Sequence, residues 1–125
     1  MYSYLKLFSI LTLIFFALAA AKYPIRKIMP QSRIYTFFFK LHRIFAILAW
    51  ISITAHGVIS LEFGIISITG ILLYVAINIL IGLGMYKTYI NRKLSYKIFK
   101  YHKVMAVLTI VLFILHYLQM RWGIL

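Results

Sequence analysis

Four apolar runs, each about as long as a bilayer core is thick, decide what this chain can fold into. They cover about residues 3–21, 41–60, 64–86 and 102–121, and roughly 20 residues are what an α-helix needs to cross a hydrocarbon core of ~30 Å. Unpaired backbone groups are too costly in that medium, so the runs are expected as helices despite Ile, Val, Phe and Tyr contents that would favour strands in water. Hydrophobic residues make up 65% of the chain and charged residues 12%, about half the charged share of a soluble domain. The expected fold class is therefore an all-α integral membrane protein, one domain over residues 1–125, with the lipid bilayer as its first partner. A net charge of +13 does not redirect this reading toward nucleic acid, because a basic nucleic-acid-binding face needs a water-soluble body behind it and the four runs leave none. There is no Cys, which excludes disulfides, iron–sulfur ligation and haem attached through paired cysteines.

The basic residues orient the chain. Lys22, Arg26, Lys27, Arg33 and Lys40 lie between the first two runs with Arg43 just inside the second; Lys87, Arg92, Lys93, Lys97 and Lys100 lie between the last two with Lys103 just inside the fourth. Twelve of the fourteen Lys and Arg thus sit on one side. The positive-inside rule makes both long connections cytoplasmic and puts both termini and the short Ser60 to Phe63 connection outside. The expected location is the cell membrane. The segment LFSILTLIFFALAAAK also has the look of a secretory signal with a small-residue cleavage site. The six positive charges that follow oppose export of what comes next, so it is read as a retained helix.

All four histidines lie in two related segments, FKLHRIFAILAWISITAHG (39–57) and FKYHKVMAVLTIVLFILHY (99–117). At an offset of 60, Phe39, Lys40, His42, Ala46, Leu48 and His56 coincide with Phe99, Lys100, His102, Ala106, Leu108 and His116, and Arg43 matches Lys103 in charge. Each half then reads as a hairpin: a helix without histidine, a basic connection, a helix with two. The expected architecture is a four-helix bundle of two parallel repeats about an axis along the membrane normal.

Fourteen residues on a helix fall about 40° short of four turns and rise about 21 Å. Both histidines of a pair therefore share a face at two depths. Facing the second and fourth helices would set His42 opposite His102 and His56 opposite His116. A lone membrane histidine is most simply a hydrogen-bonded packing group, but four in matched pairs call for more. Structural zinc wants four ligands, and no Cys or acid lies near; a haem iron wants two axial imidazoles. The positions between the histidines include Ala46, Ala49 and Ile53 on one helix and Ala106, Thr109 and Phe113 on the other. They give room for a flat group or serve ordinary small-residue packing. Gly57 beside His56 invites close backbone approach, and Trp50 lies between the two levels, off the histidine face. Asn78 is expected to be satisfied by a neighbouring helix, and Glu62, the one acid, to be a solvated loop residue.

LHRIFAILAWISITAH, followed after one intervening helix by FKYHKVMAVLTIVLFILH, resembles the ferric-reductase-like transmembrane domain of ferric reductases, NADPH oxidases and the haem subunit of a bacterial methionine sulfoxide reductase system. The resemblance covers residues 39–121. It implies two haem b groups stacked across the membrane, with iron ligated by His42/His102 and His56/His116. Ile44, Phe45 and Ala46 stand where the family often has a glycine, and no FAD- or NAD-binding domain is expected after the fourth run. Gly82 and Gly84 lie inside a helix and make no dinucleotide fingerprint.

The expected function is transmembrane electron transfer by the membrane subunit of a larger oxidoreductase complex, without a complete active site of its own. Its partner would be a flavoprotein, a cytochrome or the quinone pool. Arg43 and Lys103, with Lys40 and Lys100, are candidates to pair with haem propionates or are ordinary interfacial anchors. The alternative is a haem-free membrane anchor, or a proton- or metal-relay subunit using the histidines directly.

Overall fold

The computed structural model describes residues 2–89 and 95–122, with side chains described for 3–86 and 97–121. Among them run helices α1 (Tyr2–Ala20), α2 (Lys22–Ile28), α3 (Arg33–Glu62), α4 (Ile68–Tyr89) and α5 (Ser95–Trp122), with no strand. Arg92 and Lys93 of the second basic connection lie outside the described residues, and so does the side chain of Lys87. Four stretches are long and apolar enough to cross a membrane: Ser3–Ile28, Arg33–Glu62, Ile68–Tyr86 and Lys97–Arg121.

Local chemistry sets the breaks between helices. Pro24 has no N–H to donate to the carbonyl of Ala20, and its ring crowds that carbonyl; α1 accordingly ends at Ala20 and α2 begins at Lys22, with Ala21 between them. Ser32 starts α3 as a side-chain cap: its backbone is extended (φ −82°, ψ 159°) and its Oγ accepts from the Tyr35 N–H at 3.1 Å, which satisfies one of the first-turn donors that a helix leaves open.

The helix starts differ from those the hydropathy pattern implies. The second membrane helix begins at Arg33 rather than near 41, the third at Ile68 rather than 64, and the fourth at Ser95 rather than near 102. Hydropathy marks where lipid ends, whereas a helix ends where its backbone hydrogen bonding stops. The basic residues of 33–40 therefore belong to α3, whose 30 residues make it about 45 Å long, well beyond the ~30 Å of hydrocarbon. At its other end α3 closes with a Schellman turn. Gly64 takes φ +69°, its N–H donates to Leu61 O at 2.9 Å, and the Ile65 N–H reaches back to Ser60 O at 2.9 Å, the reciprocal pair that defines this cap. The turn and the residues after it push the next helix start to Ile68.

The chain divides into two compact units, Met1–Ile65 and Ile66–Leu125. In the first, α1 and α2 pack on α3; in the second, α4 packs on α5. Buried positions are small or hydroxylated as often as they are large: Thr12, Ala19, Ala49, Ser52 and Ile53 in the first unit, and Thr69, Leu73, Ala76, Ile77, Leu80, Ile98 and Thr109 in the second. Small side chains let membrane helices approach closely. Three of the buried hydroxyls are satisfied inside their own helices, Thr12 on Phe8 O at 2.7 Å, Ser52 on Leu48 O at 2.8 Å and Thr109 on Met105 O at 2.7 Å. Large aliphatic residues, including Leu13, Ile47, Ile51, Leu72, Val107 and Val111, are turned outward, the inverse of a soluble protein's arrangement.

Candidate functional site

Each histidine meets the preceding long helix of its own unit. In the first unit His42 Nδ1 lies 2.8 Å from the carbonyl oxygen of Ala19, and His56 Nδ1 lies 3.1 Å from that of Leu5. Leu5 and Ala19 are fourteen residues apart on α1, as His42 and His56 are on α3. The two helices run antiparallel, so one histidine engages each end of the same carbonyl row. A carbonyl can only accept, which places the proton on Nδ1 in both rings. In the neutral imidazole the lone pair is then on Nε2, the nitrogen used by metal ligands whose other N–H is fixed by such an acceptor.

The second unit does the same with one variation. His102 Nδ1 lies 3.1 Å from Leu80 O. His116 Nδ1 has side-chain partners instead: Thr69 Oγ1 at 3.1 Å and Ser67 Oγ at 3.4 Å. The Thr69 hydroxyl in turn donates to Gln119 Oε1, so its oxygen is an acceptor toward the ring. All four rings are half-buried.

Two glycines of α4 complete the second unit. A Cβ at Gly84 would stand 3.3 Å from His102 Cε1, and one at Gly70 would stand 3.2 Å from His116 Cε1 and 2.7 Å from Ser67 Oγ. Gly70 and Gly84 are themselves fourteen apart. Midway between the two levels each long helix buries one residue: Thr12 on α1, Ala49 on α3, Ile77 on α4 and Thr109 on α5. The histidine face of α3 is thus turned to α1, and that of α5 to α4.

Other expectations fare unevenly. A Cβ at Gly57 would meet nothing within 4 Å, so the close approaches belong to Gly70 and Gly84, which reasoning from the histidine helices misses. Their signal was the shared spacing of fourteen. Asn78 is exposed and donates to Tyr74 O of its own helix at 2.8 Å. Thr69, Ser67 and Gln119 had no motif to announce them.

Arg43, Lys40, Lys100 and Lys103 are exposed within about one turn of His42 or His102, with Lys103 Nζ 4.5 Å from the centre of the Phe99 ring. Glu62 is exposed at the last position of α3. Trp50 borders a shallow apolar depression with Phe8, Ile51, Thr54, Ala55, Val58 and Ile59. Chemically, the arrangement offers imidazole nitrogens of defined tautomer at two levels in each unit. Comparison of the chain with protein-family models, with curated proteins and with solved structures finds no match.

Proposed function

We propose that the chain is an integral membrane cytochrome b, the electron-carrying membrane subunit of a larger redox complex. His42 and His102 would hold one haem b, and His56 and His116 a second. The observation that carries the reading is the common fate of the four histidines: each has Nδ1 engaged by an oxygen of the adjoining helix. A histidine kept only for packing can satisfy itself through either nitrogen, whereas a ligand needs one ring nitrogen tied down and the other carrying its lone pair. The lack of any Cys suits a non-covalently held macrocycle.

Haem iron supplies reversible one-electron transfer when bound, and its potential is set by ligand, burial and hydrogen bonding. The chain's own residues have three tasks. The histidines present Nε2 with a fixed ring orientation. The apolar helices exclude water and ions around them. Arg43 and Lys103, with Lys40 and Lys100, offer charge-assisted hydrogen bonds to propionates. In this reading the halves are parallel repeats, both basic connections are cytoplasmic, and the donor or acceptor is a flavoprotein, a cytochrome or a quinone.

The test is a haem count. Purified protein from haem-replete cells is expected to show the sharp reduced band of bis-imidazole haem, two haems per chain by pyridine haemochrome, and complete extraction into acid acetone. A stoichiometry of zero refutes the proposal; a value of one would mean that one histidine pair is only structural.

A further inference from the structure

Three of the four histidine anchors are backbone carbonyls, those of Ala19, Leu5 and Leu80, and a carbonyl's strength as an acceptor varies little with side-chain identity. His116 is different. Its Nδ1 sits against two hydroxyls, Thr69 Oγ1 at 3.1 Å and Ser67 Oγ at 3.4 Å, and Thr69 passes its own proton to Gln119 Oε1. Ser67 Oγ also accepts from the Gly70 N–H at 3.1 Å, which fixes that hydroxyl at the start of α4. Thr69 is buried and Gln119 is half-buried.

We propose that Thr69, polarised by Gln119, is a positioning and potential-tuning residue for His116, and that it makes the redox centre held by His116 adjustable by side-chain chemistry. The inference rests on the cytochrome reading above. A hydroxyl that donates its own proton becomes a better acceptor, because hydrogen bonds in series polarise one another in a low-dielectric interior. The stronger the pull on Nδ1–H, the more basic Nε2 becomes and the more the oxidised iron is favoured. Thr69 and Gln119 together therefore hold the potential of that centre down.

The test is redox potentiometry of the haem-loaded full-length protein in lipid nanodiscs, followed optically. The component assigned to His116 is the one altered in His116→Ala. Thr69→Val, nearly the same shape without the oxygen, is expected to raise the midpoint of that component and leave the other unmoved. Ser67→Ala combined with Thr69→Val should raise it further, since the second hydroxyl is the remaining acceptor. Thr69→Ser should restore the wild-type value, and Gln119→Leu should give a smaller rise in the same direction. An unmoved or lowered midpoint in Thr69→Val, or equal shifts of both components, overturns the proposal. Should Thr69→Val fail to fold, Gln119→Leu decides by the same criterion, a rise supporting and no rise refuting. A protein that binds no haem refutes the cytochrome reading, and the tuning role with it. The anchor itself is read separately, from ¹⁵N-histidine spectra of haem-free protein. His116 is expected to be protonated at Nδ1 in the wild type and to shift toward the other tautomer in Thr69→Val. The Nε2-protonated form already dominant in the wild type would mean that the Gln119 amide donates to Thr69 and that the proposed polarity is wrong.

Discussion

Replacing Gly84 by Ala sets two calculable effects against each other on one helix. Alanine in place of glycine inside a helix is favourable by about 1 kcal/mol. The new methyl carbon would stand 3.3 Å from His102 Cε1 and 3.6 Å from Nδ1, while carbon–carbon contact is most favourable at about 3.5–4.0 Å. The ring must therefore move off α4 by roughly 0.2–0.7 Å to regain that separation. Its Nδ1 already lies 3.1 Å from Leu80 O, near the long end of a good hydrogen bond, and the move stretches and weakens it. The loss of about 1 kcal/mol for one such bond offsets the helix gain. Gly82, on the same helix, is the control, because a Cβ there meets nothing within 4 Å. Gly82→Ala should raise stability by about 1 kcal/mol and Gly84→Ala should leave it nearly unchanged, measured by reversible unfolding in mixed micelles. In ¹⁵N-histidine spectra only Gly84→Ala should shift His102, and in haem-replete protein only Gly84→Ala should weaken retention of the haem that depends on His102. Equal stabilities, with His102 unmoved in both, would refute the argument that Gly84 exists to seat this ring.

His42→Ala and His102→Ala should deplete the same haem, and His56→Ala and His116→Ala the other, as read by EPR of the oxidised protein; loss of one and the same haem from His42→Ala and His116→Ala would break the proposed pairing. Reporter fusions at Ile90 and Leu125 should give opposite answers, since the basic connections are assigned to the cytoplasm and the C-terminus to the outside; the same answer from both would overturn that topology. Ser32→Ala removes the cap on α3 and should cost about 1 kcal/mol, with faster exchange of the Tyr35 amide whose N–H it holds. Gly64→Ala forces a side chain into the left-handed region at φ +69° and should cost about 1–2 kcal/mol, detected as a lowered unfolding midpoint.

The all-helical class was legible because it depends on properties that survive without a partner. Length and apolarity of a run are set by its own residues, and the period of a helix is fixed by backbone geometry, so four helices long and apolar enough to cross a membrane, and a shared face for His42 and His56, or for His102 and His116, follow from the sequence alone. Ala49 and Thr109, seven residues from the histidines on either side, fall on that face by spacing, and the structure buries both. The helix starts at Arg33, Ile68 and Ser95 were not legible from hydropathy, which responds to lipid rather than to hydrogen bonding. The Ser32 cap and the Gly64 turn are visible in the sequence only once the helix ends are known.

What the tertiary structure alone decided is what each imidazole touches. Leu5 and Ala19 serve His56 and His42 through carbonyl oxygens that every residue possesses, so no residue type marks them in advance. Only the antiparallel register of α1 against α3 brings those two oxygens to the rings. The same holds in the second unit, where the register of α4 against α5 sets Gly84 beneath His102 and Gly70, Ser67 and Thr69 beside His116. A spacing of fourteen on one helix says that two residues share a face. Which atoms of a second helix meet that face is fixed by how the two helices slide and rotate until their side chains pack, and that is a property of the pair rather than of either sequence.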